Sequence, residues 1–377
     1  MKTCTRRIFF SFAFIAAPIF HTPAATIVAW GSGLGTNVPS TVTNVIAISA
    51  GSEHCLAILP DHSVAAWGNN SYSQTNVPEG LSNVIAVAAG FYHSLAASSN
   101  GSVTAWGRAT HGQITVPDEA TNVLTIAAGG EHSVALRADG SVINWGKYFD
   151  SDAVAYVTKP FPSSITNILA IAAGYDHDLL LRSNGTVVAW GNNPYEQTNV
   201  PSGLTNVIAI AAGGDQSLAL KSDGTVVIWG RTEYDTGPIH IPTSLTNVVA
   251  VAAGSEHCLA ITSTGTIVAW GRNTGTNVPT GLSNVVAVAA GKDDSFALIG
   301  EAASPVLIAE EPSYINGVFS VFVQTRLGKN YRFEYRDSLS NGTNWTALPS
   351  QPGDGTRMKL ENPSAAPQRY YRVREEP

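Results

Sequence analysis

The sequence predicts an all-β protein: a seven-bladed β-propeller closed by its own N-terminal strand, followed by a small C-terminal β-sandwich module. Three recurring marks carry this reading. Tryptophan followed by glycine occurs at Trp30, Trp67, Trp106, Trp145, Trp190, Trp229 and Trp270, and Ala-Gly recurs with its glycine at Gly51, Gly90, Gly129, Gly174, Gly213, Gly254 and Gly291. Between them stands a proline, at Pro39, Pro78, Pro117, Pro162, Pro201, Pro242 and Pro279. Proline to the following glycine takes 12 residues in every unit, and glycine to the next tryptophan takes 16, whereas tryptophan to proline takes 9, 11, 11, 17, 11, 13 and 9. Seven units with one elastic segment make a fixed scaffold that carries one variable loop.

Within a unit, residues 206–230 read NVIAIAAGGDQSLALKSDGTVVIWG. Alternation gives three strands, NVIAIAA, QSLALK and TVVIWG. Asn100-Gly101, Asp139-Gly140, Asn184-Gly185 and Asp223-Gly224 join the second to the third, a strong hairpin signal. The stretch ending in Asn-Val-Pro reads as a short fourth strand, with its proline at a strand end. Four short antiparallel strands at this repeat length describe a propeller blade.

The ends supply the closure. TIVAWG (26–31) is a third strand without its hairpin partner, and the seventh unit stops at SFALIG (295–300), a second strand without a third. Pairing the two completes the last blade over residues 26–300 and leaves no open edge. Before it, Lys2, Arg6 and Arg7 precede an apolar run at 8–20 and small residues near Ala24 and Ala25, the pattern of a cleaved export signal over 1–25. The protein is therefore expected outside the cytoplasm, secreted or in the periplasm or cell envelope, as a monomer. Residues 301–312 read as a linker. Alternation in VFSVFVQ, YRFEYRD and RYYRVR makes 313–377 a β-sandwich of five or six strands.

Without 1–25 the chain holds 18 basic and 28 acidic residues, and the imbalance lies wholly in 26–300. An acidic surface with no basic stripe argues against nucleic acid and against anionic membranes. The apolar run at 8–20 is too short for a permanent membrane span.

The nonapeptide AGSEHCLAI occurs at 50–58 and again at 253–261, placing glutamate, histidine and cysteine together. The repeat explains it. His54, His93, His132, His177 and His257 hold one position of the unit, which Gln216 and Asp294 fill elsewhere; Cys55 and Cys258 hold the next, where Ser94, Ser133, Ser217 and Ser295 stand in other units. Copies in different blades do not converge on one ion, so no metal, no cofactor and no disulfide are expected, and each histidine is expected to cap backbone groups between the first and second strands.

Units of the form AAGxxHSLALxxDGxVxAWG over 26–300 resemble repeats of the regulator of chromosome condensation family. The short units, the export signal and the TIVAWG start resemble its secreted bacterial branch, similar to β-lactamase inhibitory protein II. The resemblance implies a seven-bladed propeller that works by binding a protein.

Strand order puts the glycine-x-x-histidine loops and the variable loops on one face. Two residues after the marker glycine stand Glu53, Glu131, Asp176, Asp215, Glu256 and Asp293, an acidic ring expected to carry a negative potential. Phe91, Tyr92 and Tyr175 lie in the same loops, and the long loops after Trp145 and Trp229, with the loop after Trp190 between them around the ring, bring Tyr148, Phe149, Tyr195 and Tyr234. Exposed aromatics beside acids suit a protein partner with a basic patch, with Tyr148, Phe149, Tyr195 and Tyr234 as the hot spot and Asp176 and Asp215 as steering charges. The expected function is a non-catalytic binding propeller. Carbohydrate binding, or polysaccharide cleavage by paired carboxylates, is the alternative.

Overall fold

The computed structural model describes residues 25–300, except 232, 235–236, 239 and 273, and the segments 309–315, 318–324, 330–336, 346–352, 357–362 and 370–376. The predicted export signal, save Ala25, lies outside the described residues. The chain divides into two compact units, Met1–Glu301 and Ala302–Pro377.

In the first unit the described residues form seven three-stranded antiparallel sheets, each with an inner, a middle and an outer strand. Val84–Ala89, His93–Ser98 and Val103–Gly107 make one such sheet. Adjacent sheets bury alternate side chains between them: Leu95 and Ala97 of one meet Ile126, Ala135 and Trp145 of the next. The chain closes on itself through Thr26–Gly31, which pairs with Asp294–Ile299 from Thr26 opposite Ile299 to Gly31 opposite Asp294.

The expected fourth strand is absent among the described residues. Its stretch runs as turns because proline cannot donate to a ladder, and side chains fasten it instead. The Gln74 carbonyl receives the Trp106 indole N–H at 2.8 Å and the Ser94 hydroxyl at 2.7 Å. Gln113 does the same for Trp145 and Ser133, and Gln197 for Trp229 and Ser217. The repeated tryptophan thus binds the preceding unit's variable loop to the outer edge of its own sheet. The asparagine that opens each inner strand has a backbone reason: Asn44, Asn83, Asn122, Asn167, Asn206, Asn247 and Asn284 all sit at φ between 53° and 59°. Asparagine tolerates this left-handed region better than other residues with a Cβ.

The marker glycines form a closed ring. A Cβ on Gly213 would collide with the carbonyl oxygen of Gly254, one on Gly254 with that of Gly291, and one on Gly291 would stand 2.6 Å from that of Gly51. Inside this ring the alanines before each glycine line a channel of about 170 Å³.

The histidines do not act as the sequence suggested, as caps within their own sheet. Each reaches the next sheet: Nε2 of His54, His93, His177 and His257 lies 2.9 to 3.0 Å from the hydroxyl of Ser94, Ser133, Ser217 and Ser295 respectively. Cys55 and Cys258 are buried free thiols. Each follows a sheet with no histidine at that position. Cys258 faces Gln216, its Sγ 3.7 Å from Gln216 Oε1, and Cys55 lies near Asp294, whose carboxylate accepts the backbone N–H of Gly33 at 2.5 Å and of Gly35 at 3.1 Å.

The described residues of the second unit form two sheets. One orders Ala309–Ile315, Val318–Gln324 and Arg357–Asn362; in the other Asn330–Arg336 pairs with Tyr370–Glu376, Thr346–Ala347 and Gln351–Pro352. Its first strand begins inside the segment predicted as linker. Tyr331 and Leu360, one from each sheet, are buried.

Candidate functional site

The loop face is built by a hairpin rule. The residue after each Trp-Gly donates its backbone N–H to the carbonyl of the residue two after the marker glycine: Asn69 to Glu53, Arg108 to Tyr92, Lys147 to Glu131, Asn192 to Asp176, Arg231 to Asp215 and Arg272 to Glu256. Side chains at these two positions are therefore neighbours.

That adjacency changes the acidic ring. Arg231 lies 3.6 Å from Asp215 and Arg272 3.5 Å from Glu256. Arg108 reaches across to the next sheet and binds Glu131 at 2.5 Å, where Gln113 donates a further bond and His111 Nδ1 stands 3.3 Å away. Glu53 accepts from Asn69 Nδ2 at 2.7 Å. Three of the six acids are thus matched by the chain's own arginines, and the expected ring of unopposed negative charge does not form. The Trp-Gly-Arg triplets at 108, 231 and 272 carried this signal in the sequence.

Asp176 is held differently. It is buried, its carboxylate accepts the Phe149 backbone N–H at 2.7 Å, and burial pushes its pKa up to about 6. Asp215 is raised in the same direction, first by burial. Asp293 follows the same hairpin rule, its carbonyl accepting the Ser32 backbone N–H.

The aromatic residues gather on a different arc from the one expected. Tyr72, Tyr92, Phe91 and Tyr175 form a continuous run: Tyr72 and Tyr92 have ring centroids 5.0 Å apart, Phe91 and Tyr92 4.5 Å, and Phe91 and Tyr175 4.8 Å. The Arg108 guanidinium lies over the rings of Tyr72 and Tyr92 at 5.2 and 5.4 Å. Tyr156 extends the surface by stacking on His111 at 4.1 Å and meeting Phe149 edge-on at 5.5 Å. Tyr72, Tyr156 and Tyr175 are exposed. Burial raises the Tyr92, Tyr156 and Tyr175 hydroxyl pKa values, with nearby acids adding to the shift.

Of the four residues expected as the hot spot, Tyr148 is corrected outright. It is 1% exposed, its ring stacks on His132 at 4.0 Å and its hydroxyl donates to Asp178 Oδ2 at 2.6 Å, because a phenol with a buried carboxylate to bind is better satisfied inside than in water. Phe149 is half-buried against Tyr156. Tyr195 is exposed but stands apart from the main arc, covered by Arg231 at 4.5 Å. Tyr234 lies on a short strand opposite Gly237; its side chain lies outside the described residues. Arg108 and His111 were the members the sequence reading missed.

Among the described residues no group of three His, Cys, Asp or Glu is arranged to hold a metal ion, and no helix is long and apolar enough to cross a membrane.

Repeated three-stranded sheets around a channel, with a rigid inner wall and all variable loops on one face, define a β-propeller repeat protein. Residues 45–74, 84–113, 168–197 and 248–275 match the family model described as the Regulator of chromosome condensation (RCC1) repeat. No curated protein matches the chain. Among solved structures it is similar to Prp20p of Saccharomyces cerevisiae, at 22% identity and a TM-score of 0.59, covering 76% of this chain and 94% of that one. It is similar to human WBSCR16 at 18% identity and 0.57, covering 74% and 99%. The CRINKLY WD40 ectodomain of the Arabidopsis thaliana receptor kinase ACR4 aligns at 22% and 0.56, covering 68% and 93%. At these identities the likeness is one of fold.

Proposed function

We propose that this protein is a non-catalytic binding propeller that acts as a monomer outside the cytoplasm and engages a protein partner through its glycine-x-x-histidine face. The observation that carries this is the run of Tyr72, Tyr92, Phe91 and Tyr175 with Arg108 laid over it. Tyrosine and arginine dominate protein-binding hot spots because they bring large area with little side-chain entropy to lose. Prp20p, whose fold this chain shares, has binding properties to Gsp1p and histones and has been seen with Kap60 bound. The acids Glu53 and Asp176 beside the aromatic run favour a partner that brings partial positive charge opposite them. The Glu131 carboxylate is occupied within the chain by Arg108, Gln113 and His111, which weighs against the glycosidase reading.

The test uses the chain without residues 1–24 as bait on the envelope and culture medium of the producing organism, in parallel with a Tyr72→Ala, Tyr175→Ala double variant. A protein retained by the parent and lost with the variant supports the reading; equal retention by both sinks it. Binding on a glycan array without released sugar would move the function to carbohydrate recognition.

A further inference from the structure

Three departures from the repeat meet at one point. The second residue of the middle strand is serine or cysteine in six sheets but Asp178 in one; the residue before the repeated tryptophan is alanine in five units and isoleucine in another, but Asn144 in one; and the longest variable segment, 147–161, follows that unit's Trp-Gly and carries Tyr148 as its second residue. In the structure they make one network. Asp178, His132 and Tyr148 are buried, with Asp178 Oδ1 2.9 Å from His132 Nε2 and Oδ2 accepting the Tyr148 hydroxyl at 2.6 Å. Asn144 Nδ2 donates to the Tyr148 oxygen at 2.7 Å and to the Lys159 carbonyl at 2.8 Å, and its Oδ1 accepts the Phe161 N–H at 3.2 Å. The Lys159 carbonyl also takes the Trp190 indole N–H at 3.0 Å, the role Gln74 plays for Trp106.

Asn144 thus ties both ends of the segment, and Asp178 ties its second residue, Tyr148. A serine at 178, as in neighbouring units, would be too short to meet both His132 and Tyr148. Beyond these ties the segment forms a small hairpin, Tyr148–Asp150 against Ala155–Val157. It crosses the loop face: Phe149 N–H binds Asp176, Ser151 binds Asn192 Oδ1 through its N–H at 3.3 Å and its hydroxyl at 3.0 Å, and Tyr156 stacks on His111. At its tip Val154 is 76% exposed with φ 51°, a conformation that β-branched residues avoid. A buried fastening at the base and a strained, exposed apolar residue at the tip belong to a presented element rather than a slack insertion.

We propose that Asp178, His132, Tyr148 and Asn144 form a buried latch that holds residues 147–161 as an arm across the loop face, and that Asp178 is a positioning residue for the binding surface. The second half rests on the function proposed above; the first does not.

Hydrogen exchange on the intact chain tests the latch without a partner. In Asp178→Ser the amides of Phe149 and Ser151 should exchange about tenfold faster or more, while those of Leu218 and Leu259 in other sheets keep parental rates. Asp178→Asn retains an acceptor for Tyr148 and should hold the arm at near-parental exchange. Unchanged arm exchange in Asp178→Ser, or equal acceleration in the asparagine variant, overturns the latch. If Asp178→Ser does not fold, Tyr148→Phe keeps the ring on His132 and removes only the hydroxyl; arm exchange at the parental rate in that variant overturns the latch equally. Repeating the bait experiment with Asp178→Ser separates the two halves: a released arm with unaltered partner retention leaves the latch standing and removes Asp178 from the binding surface.

Discussion

Trp30 donates its indole N–H to the carbonyl oxygen of Gly275 at 2.7 Å, across 245 positions of sequence. The same carbonyl receives the Ser295 hydroxyl at 2.8 Å, so the beginning and end of the propeller are fastened at one atom.

Removing 26–31 should therefore do more than shorten the chain. It strips the middle strand Asp294–Ile299 of one partner and leaves an open edge, so the variant should aggregate or melt several degrees lower. Trp30→Phe loses the indole bond and part of the buried ring while Ser295 still satisfies the carbonyl, so it should cost about 2 kcal/mol. Thermal melts with size-exclusion chromatography compare the two; a soluble deletion variant with parental melting would refute the closure.

The glycine ring predicts a steric result with no backbone component. Gly213 lies outside the left-handed region, so alanine there meets no conformational objection, but its Cβ would strike the Gly254 carbonyl oxygen. A neighbouring backbone cannot move aside without breaking the ring, and Gly213→Ala should lose about 3 kcal/mol or more in urea unfolding. A loss under about 1 kcal/mol would mean the ring is looser than drawn.

Acid should destabilise the propeller through its histidines. Burial lowers the pKa of His54, His177 and His257 to about 4 and of His93 to about 3. Between the ordinary histidine value of about 6.5 and these folded values the unfolded chain binds protons that the folded chain refuses, so stability falls as pH falls through that window, by order 1–3 kcal/mol per histidine. Asp176 has the opposite sign. With its folded value near 6, the folded state takes up a proton first, and that carboxylate becomes less costly as pH drops. Asp176→Asn should therefore melt higher at pH 7 and lose stability more steeply on acidification than the parent. Melting curves from pH 7 to pH 4.5 read both effects.

The fold was legible because the repeat is rigid where packing is tight. The spacings from proline to glycine and from glycine to tryptophan preserve the inner and middle strands, and the unpaired TIVAWG and SFALIG announce their pairing. The fourth strand was misread because a Val-Pro end resembles a strand terminus, whereas the bonds that hold the stretch come from Trp106 and Ser94, distant in sequence. The site was less legible for the same reason. Tyr148 looked like an exposed aromatic on a long loop, and only Asp178, thirty residues on, gives it a buried partner. Arg108 opposes Tyr92 in its own hairpin yet neutralises Glu131 in the next sheet, a contact between units that no local pattern records.

The cysteines answer to a pairing rule that can be transplanted. Each sheet's histidine position faces the following sheet's serine position, and where the first is not histidine the second is cysteine: Gln216 faces Cys258, and Asp294 faces Cys55. A hydroxyl bonds well to imidazole, whereas a thiol is a weak donor that tolerates an imperfect partner. Gln216 also donates from Nε2 to the carbonyls of Gly254 at 3.0 Å and His257 at 3.2 Å, so Gln216→His alone forfeits those bonds and meets only a thiol. That variant should be destabilised by about 1–2 kcal/mol. Cys258→Ser alone should be nearly neutral. The double variant installs the pair that His177 and Ser217 already make at 2.9 Å, and it should recover most of the loss, giving a favourable coupling of about 0.5–2 kcal/mol in a double-mutant cycle. The cycle is read by urea unfolding of the four proteins at pH 7.5, where the introduced histidine is neutral. Additive effects would show that the two columns of the repeat covary without interacting.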